Sequence, residues 1–149
     1  MDPTKAKTLL LPRPVKGPIT CDFGKRGKLW KQGFHPGVDF GVIKGTPIEN
    51  CLIGKVHLAG RETHFGWRVW VLSELSCGLV RILYAHCSKI LVDRDEIVQP
   101  GQVIALSGDS GERRDGKPMP PHLHIQVEFY PSRELFRPEF FDGHSRRVA

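Results

Sequence analysis

Polar and apolar side chains alternate without a break over residues 121–129. His122, His124, Gln126 and Glu128 fall on one parity, and Leu123, Ile125, Val127 and Phe129 on the other. A period of two marks a half-buried β-strand. Such a strand buries its Leu/Ile/Val/Phe face and holds two imidazoles side by side on the opposite face. Shorter β-rich runs cover residues 19–23, 38–42, 48–53, 54–59, 67–72, 79–85 and 102–106. Turn signals separate them at Gly24-Lys25-Arg26-Gly27, Gly45-Thr46-Pro47 and Pro100-Gly101. Residues 91–98 carry Asp93, Arg94, Asp95 and Glu96 and read as a solvated connection with at most one helical turn. Residues 107–121 form a long Gly/Pro/charged loop that delivers the chain to the His-x-His strand. The pattern predicts one compact all-β domain of mostly antiparallel sheet, with long loops. Residues 1–18, Pro-rich and basic, are expected as an extended arm crossing the surface. The core is expected over 19–129, with a tail over 130–149 whose Leu135, Phe136, Phe140 and Phe141 cover an open side of the sheet.

Composition sharpens this picture at a few points. The chain of 149 residues is long enough for one core and too short for two. Sixteen Gly and twelve Pro favour strands and turns over long helices. The net charge of +6 is uneven, since residues 1–31 hold Lys5, Lys7, Arg13, Lys16, Lys25, Arg26, Lys28 and Lys31 against Asp2 and Asp22. A basic amino-terminal end suits an anionic partner such as a bacterial envelope polymer. No aromatic-basic stripe or reading helix supports nucleic acid as that partner. Cys21, Cys51, Cys77 and Cys87 lack any Cys-x-x-Cys spacing, which argues against a zinc ribbon or thioredoxin-type site. Reduced thiols are expected, with Cys51 and Cys87 acting as small hydrophobes. No signal peptide or transmembrane-length apolar run is visible.

The candidate chemistry is carried by histidines. In His35-Pro36-Gly37-Val38-Asp39 the Pro and Gly exclude a regular helix, so this is a turn entering a strand. His35 and Asp39 with one histidine of the distant His-x-His pair make three protein ligands and leave a fourth position open for water. That is the pattern of a catalytic zinc site, whereas structural sites are closed by four ligands. A set without thiolate suits Zn²⁺ better than a softer metal. His86, after Tyr84-Ala85, gains weight only in this company.

Taken together these stretches resemble the lysostaphin/LytM-type zinc endopeptidases, peptidase family M23, which cut peptide cross-links in bacterial peptidoglycan. The resemblance runs in order through Phe23-Gly24-Lys25-Arg26, His35-x-Gly37-x-Asp39, Gly45-Thr46-Pro47, Gly54-Lys55-Val56 and Phe65-Gly66. It continues through Tyr84-Ala85-His86, Pro100-Gly101-Gln102-Val103-Ile104, Gly108-x-Ser110-Gly111 and Pro121-His122-Leu123-His124, and spans about residues 19–129. It implies the family's duplicated-hybrid-motif fold and one Zn²⁺ held by His35, Asp39 and His124. It further implies His86 and His122 as catalytic histidines. The chain has no His-Glu-x-x-His, so a histidine must take the proton from water while a second stabilises the oxyanion or protonates the leaving amine. Departures are the longer charged loop over residues 112–120, expected to wall the substrate groove, and Gln126 and Cys87, expected to leave the core set untouched. His64, in the loop before Gly66, is expected as a solvated loop residue, with lining the groove as the other option, and His57 and His144 are expected on the surface.

Ala85-His86-Cys87 and Gly108-Asp109-Ser110-Gly111 echo chymotrypsin-like motifs, but a serine mechanism would leave His35, Asp39, His122 and His124 idle. Ser110 is expected in a tight turn instead. A non-catalytic wall-binding or regulatory module is the other alternative, and the presence of all five key residues argues against it. The reading therefore expects a monomeric wall hydrolase acting on peptidoglycan peptides. Its expected setting is bacteriophage lysis, from the host cytoplasm or the virion. The expected bond joins D-alanine to meso-diaminopimelate, with a glycine bridge as the other option.

Overall fold

The computed structural model describes residues 1–142. Eleven strands follow in order: β1 (Lys7–Pro12), β2 (Ile19–Cys21), β3 (Val38–Phe40), β4 (Pro47–Glu49), β5 (Gly54–Glu62), β6 (Gly66–Leu75), β7 (Gly78–Ile90), β8 (Ile97–Val98), β9 (Val103–Ser107), β10 (Leu123–Phe129) and β11 (Phe136–Phe141). Among the described residues there is no α-helix, in keeping with the Gly/Pro punctuation. Nine strands form one antiparallel sheet in the order β2-β3-β10-β7-β6-β5-β8, with β9 joined to β4 and to the far end of β7.

Strand β7 explains how one sheet serves two parts of the molecule. On one edge, residues before His86 pair with β10, whereas Cys87, Lys89 and Ile90 pair with β9; on the other edge β6 stays alongside as far as Cys87↔Trp67. The change of partner falls at His86, whose backbone is left-handed at φ 63°. One face of the sheet is the main core, including Val38, Phe40, Val69, Val71, Ile82, Tyr84, Leu123, Ile125 and Val127. The Tyr84 hydroxyl donates to Asn50 Oδ1 at 3.0 Å and accepts from Cys51 N at 2.8 Å, so its burial leaves no polar atom stranded.

The half-buried character expected of β10 is not found, because both faces are covered from Leu123 to Glu128. The register sets His124, Gln126 and Glu128 beside Ala85, Leu83 and Arg81 of β7. Over this face lies a second apolar cluster of Trp70, Leu83 and Ala85, flanked by Leu58 and Phe65. Further along, Glu128 accepts from Arg81 at 2.9 Å, and the guanidinium lies 3.9 Å from the Trp70 ring centre. Polar residues can occupy this face because each is hydrogen-bonded there, not because water reaches them.

The start of the chain departs from the expected surface arm, while the tail's Leu135, Phe136 and Phe140 pack onto the core. Strand β1 pairs in parallel with β11 from Lys7↔Phe136 to Pro12↔Phe141, and Leu11 and Phe136 are buried in the main core. Phe140 meets Phe40 edge-on at 5.1 Å. Alternation in Leu9-Leu10-Leu11, with Leu10 outward, makes the segment a strand once a partner is available. Residues 91–98 contain no helical turn; Val92 and Val98 are buried and β8 pairs with β5. His57 is half-buried, 3.3 Å from Arg81 and edge-on to Tyr130. His144, Arg146 and Arg147 lie outside the described residues.

Candidate active site

Strands β3 and β10 are antiparallel neighbours, and their register sets His124 directly opposite Asp39. His35 enters from the turn before β3. Gly37 is required here, because a Cβ would collide with the Ile125 carbonyl and lie 2.8 Å from the His124 ring. Three atoms converge: His35 Nε2 is 3.2 Å from Asp39 Oδ1 and 3.2 Å from His124 Nδ1, and His124 Nδ1 is 2.9 Å from Asp39 Oδ1.

The outer atoms of both rings show what the inner ones offer. His35 Nδ1 donates to the Asp22 carbonyl at 3.0 Å, and His124 Nε2 donates to Gln126 Oε1 at 3.0 Å. Each ring is thereby fixed in the tautomer whose lone pair points inward, the usual outer-shell arrangement of metal-binding histidines. Two imidazole lone pairs and a carboxylate oxygen would repel one another with nothing between them; a proton or a cation resolves this. Tetrahedral zinc with bonds of about 2.0–2.1 Å holds its ligand atoms about 3.3 Å apart, within a few tenths of the separations found. The donor set fits one zinc ion. Gln126 is therefore part of the site's support, contrary to the expectation that it stands apart from it. Phe65 adds a second restraint, stacked on the His124 ring at 6.0 Å with an interplanar angle of 13°.

Without metal the charges divide as this geometry requires. Burial works to raise the Asp39 carboxyl, but hydrogen bonds from His124 and His35 outweigh it and hold the group well below the carboxylate range. Burial works against the His124 cation, yet the hydrogen bond and charge of Asp39 raise its pKa overall. The Cys21 thiol, cross-strand from Asp39, has its sulfur within 4.8 Å of a His35 ring nitrogen and an Asp39 oxygen. Burial and then the Asp39 charge push that thiol up, so it stands beside the site as a neutral group. The sequence reading passed over Cys21; its only signal was its place in the strand before the Phe23-Gly24 turn.

Beside this centre stand His86 and His122, rings 4.6 Å apart. Both Nδ1 atoms face main-chain carbonyls, Ser110 O for His86 at 2.8 Å and Pro120 O for His122 at 2.7 Å. Each is held as the Nδ1–H tautomer with Nε2 free, and His122 Nε2 lies 3.9 Å from Asp39 Oδ1. Burial, followed by the neighbouring His124 and His122, lowers the His86 pKa to about 3, so its imidazole is neutral at neutral pH. Ser110 is no nucleophile in this arrangement: its hydroxyl donates to Cys87 O at 2.6 Å and accepts from Trp67 N at 2.9 Å.

The five residues line a groove of about 590 Å³. Its walls include Trp30 and Lys31, Glu62 and His64, and Glu112 to Arg114 with Met119. The charged loop thus walls the groove as expected, whereas His64, expected as a solvated loop residue, also lines it, with Nδ1 donating to Glu112 O at 2.9 Å.

A concave site with three inward donors beside two further imidazoles is the arrangement that single-metal hydrolysis would require. The chain belongs to peptidase family M23, whose model matches residues 33–135. Lysostaphin of Staphylococcus simulans is 37% identical over 94 residues, which are 63% of this chain and 18% of lysostaphin. The peptidoglycan DD-endopeptidase ShyB of Vibrio cholerae is 37% identical over 93 residues, 62% of this chain and 20% of ShyB. The chain thus spans about a fifth of the length of these relatives. Among solved structures, the catalytic domain of lysostaphin from S. simulans superposes with a TM-score of 0.65 at 30% identity, covering 75% of this chain and 80% of that domain. A zinc-containing peptidase from V. cholerae gives 0.65 at 30% identity, covering 77% and 35%.

Proposed function

We propose that this protein is a zinc metalloendopeptidase that hydrolyses peptide cross-links of bacterial peptidoglycan. The observation that carries the proposal is the inward convergence of His35 Nε2, Asp39 Oδ1 and His124 Nδ1 beside two imidazoles with free Nε2 atoms. Zinc held by those three residues would supply Lewis acidity toward the scissile carbonyl and toward water. His86 and His122 divide the proton work. One Nε2 accepts the proton from the attacking water, and the other imidazole, once protonated, stabilises the oxyanion or protonates the leaving amine. The low pKa of His86 keeps a neutral imidazole available for such a role. The groove walls and the stacked Phe65 hold substrate and metal ligand in place.

For the bond we propose D-alanine to meso-diaminopimelate. Lys31 and Arg114 line the groove and suit the free carboxylates of such stems, which an all-glycine bridge lacks. The test is mass spectrometry of fragments released from purified Gram-negative sacculi by zinc-loaded wild type and by His122→Ala. Loss of cross-linked dimers with new free termini in the wild-type digest alone is expected. A wild-type digest that leaves cross-links intact while the protein holds zinc refutes the reading, and release from glycine-bridged walls alone corrects the bond. For the setting we carry forward bacteriophage-mediated lysis of the host wall. Expression in a host then causes lysis only with a co-expressed holin; lysis without one rejects cytoplasmic accumulation.

A further inference from the structure

Ser110 is neither a metal donor nor a nucleophile, yet three separate parts of the site meet on it. Its hydroxyl joins the start of β6, through Trp67 N, to the end of β7, through Cys87 O. Its carbonyl accepts from His86 Nδ1 at 2.8 Å. The residues around it leave no slack. A side chain on Gly66 would run into the Ser110 hydroxyl, and one on Gly111 into the His64 carbonyl; both glycines sit at positive φ, 65° and 101°. Glu112 N donates to Thr63 O at 2.9 Å, and His86 N to Phe65 O at 2.8 Å, so both neighbouring segments are tied at the main chain.

His86 itself needs this support. A left-handed backbone is uncommon for a residue with a Cβ and persists where its surroundings over-determine it. The Ser110 hydroxyl grips the carbonyl of the next residue, Cys87, while its own carbonyl grips the ring. Two adjacent handles fix both the backbone that aims His86 and the tautomer that frees its Nε2.

We propose that Ser110 is the positioning residue for His86, holding its strained backbone through the hydroxyl and its Nδ1–H tautomer through the carbonyl. The inference rests on the hydrolase reading for what His86 does, but its structural half does not. Zinc-loaded protein labelled with ¹⁵N is examined by long-range imidazole NMR, and cross-link hydrolysis is measured in parallel. Wild type should show His86 as the Nδ1–H tautomer. Ser110→Ala should show mixed tautomers, with kcat lowered about 10- to 100-fold and with KM and zinc affinity unchanged. Ser110→Thr, which keeps the hydroxyl, should restore both. An Nε2–H tautomer in wild type overturns the proposal whether or not any substrate is cut. So does a Ser110→Ala protein that keeps both wild-type kcat and tautomer, or a folded Ser110→Thr protein as impaired as Ser110→Ala. Should wild type cut no wall polymer, the hydrolase reading fails while the tautomer measurement still decides the role of Ser110.

Discussion

Replacing Gln126 by Leu should weaken metal binding without touching a ligand. Gln126 Oε1 accepts from His124 Nε2 at 3.0 Å, in a place where His124 is only 5% exposed. With metal on Nδ1 the ring must carry its proton on Nε2, and in Gln126→Leu that N–H points at methyl groups. A buried donor left without a partner costs about 1–3 kcal/mol. The metal-free protein escapes much of this cost, since its ring can give up the Nε2 proton, keep the one on Nδ1 and donate to Asp39 Oδ1 at 2.9 Å. The penalty therefore falls on the bound state, and zinc affinity should drop about 10- to 100-fold, the usual cost of losing an outer-shell partner. Gln126→Glu, which offers His124 a charged acceptor, should bind zinc at least as tightly as wild type. Competition against a chromophoric chelator at neutral pH measures all three proteins, with urea unfolding of the metal-free forms as the control. If Gln126→Leu holds zinc as wild type does, Gln126 does not set the tautomer, and the Phe65 stack alone orients the ring.

Other outcomes follow from buried groups. His86→Gln should flatten the acid sensitivity of the metal-free protein. With a folded pKa of about 3 against 6.5 unfolded, the unfolded state takes up the proton first, so stability falls as pH drops from 6.5 toward 3. That slope is about 1.4 kcal/mol per pH unit, and the wild-type-minus-variant difference in urea unfolding reads it; parallel wild-type and variant curves would contradict the assignment. Glu128→Ala strands the buried Arg81 cation and should cost about 3–5 kcal/mol in the same assay, whereas an exposed pair would cost under about 1. Leu11→Ala should cost about 2–5 kcal/mol by thermal or urea unfolding, a loss that a surface arm would not show.

How far the site was legible in the sequence depended on whether a residue's partner lies in its own pattern. The two-residue period of β10 set His124 and Gln126 on one face, and the turn before β3 placed His35 and Asp39 near each other. That was enough to name the donors, though the resemblance was needed to divide His122 from His124. The period could not show that the polar face of β10 is buried. Its cover comes from Trp70, Arg81 and Phe65, on strands and turns whose pairing to β10 runs through β7. Nor could it turn residues 7–12 from an arm into a strand, because their partner lies at 136–141, at the opposite end of the chain.

The same limit hid the groups that govern the site without entering it. Asp22 and Pro120 act through carbonyl oxygens, which every residue type possesses, so side-chain identity carries no trace of the role; Ser110 adds a hydroxyl, but its grip on the His86 ring is likewise a carbonyl. Glycines are the nearest signal: Gly37, Gly66 and Gly111 mark where main chain comes too close for a Cβ. Each sits beside a histidine of the site or the segment that anchors one. Gly66 thus marks the segment whose Ser110 carbonyl accepts from His86, whereas the Asp22 and Pro120 carbonyls, which accept from His35 and His122, carry no such mark from these three glycines.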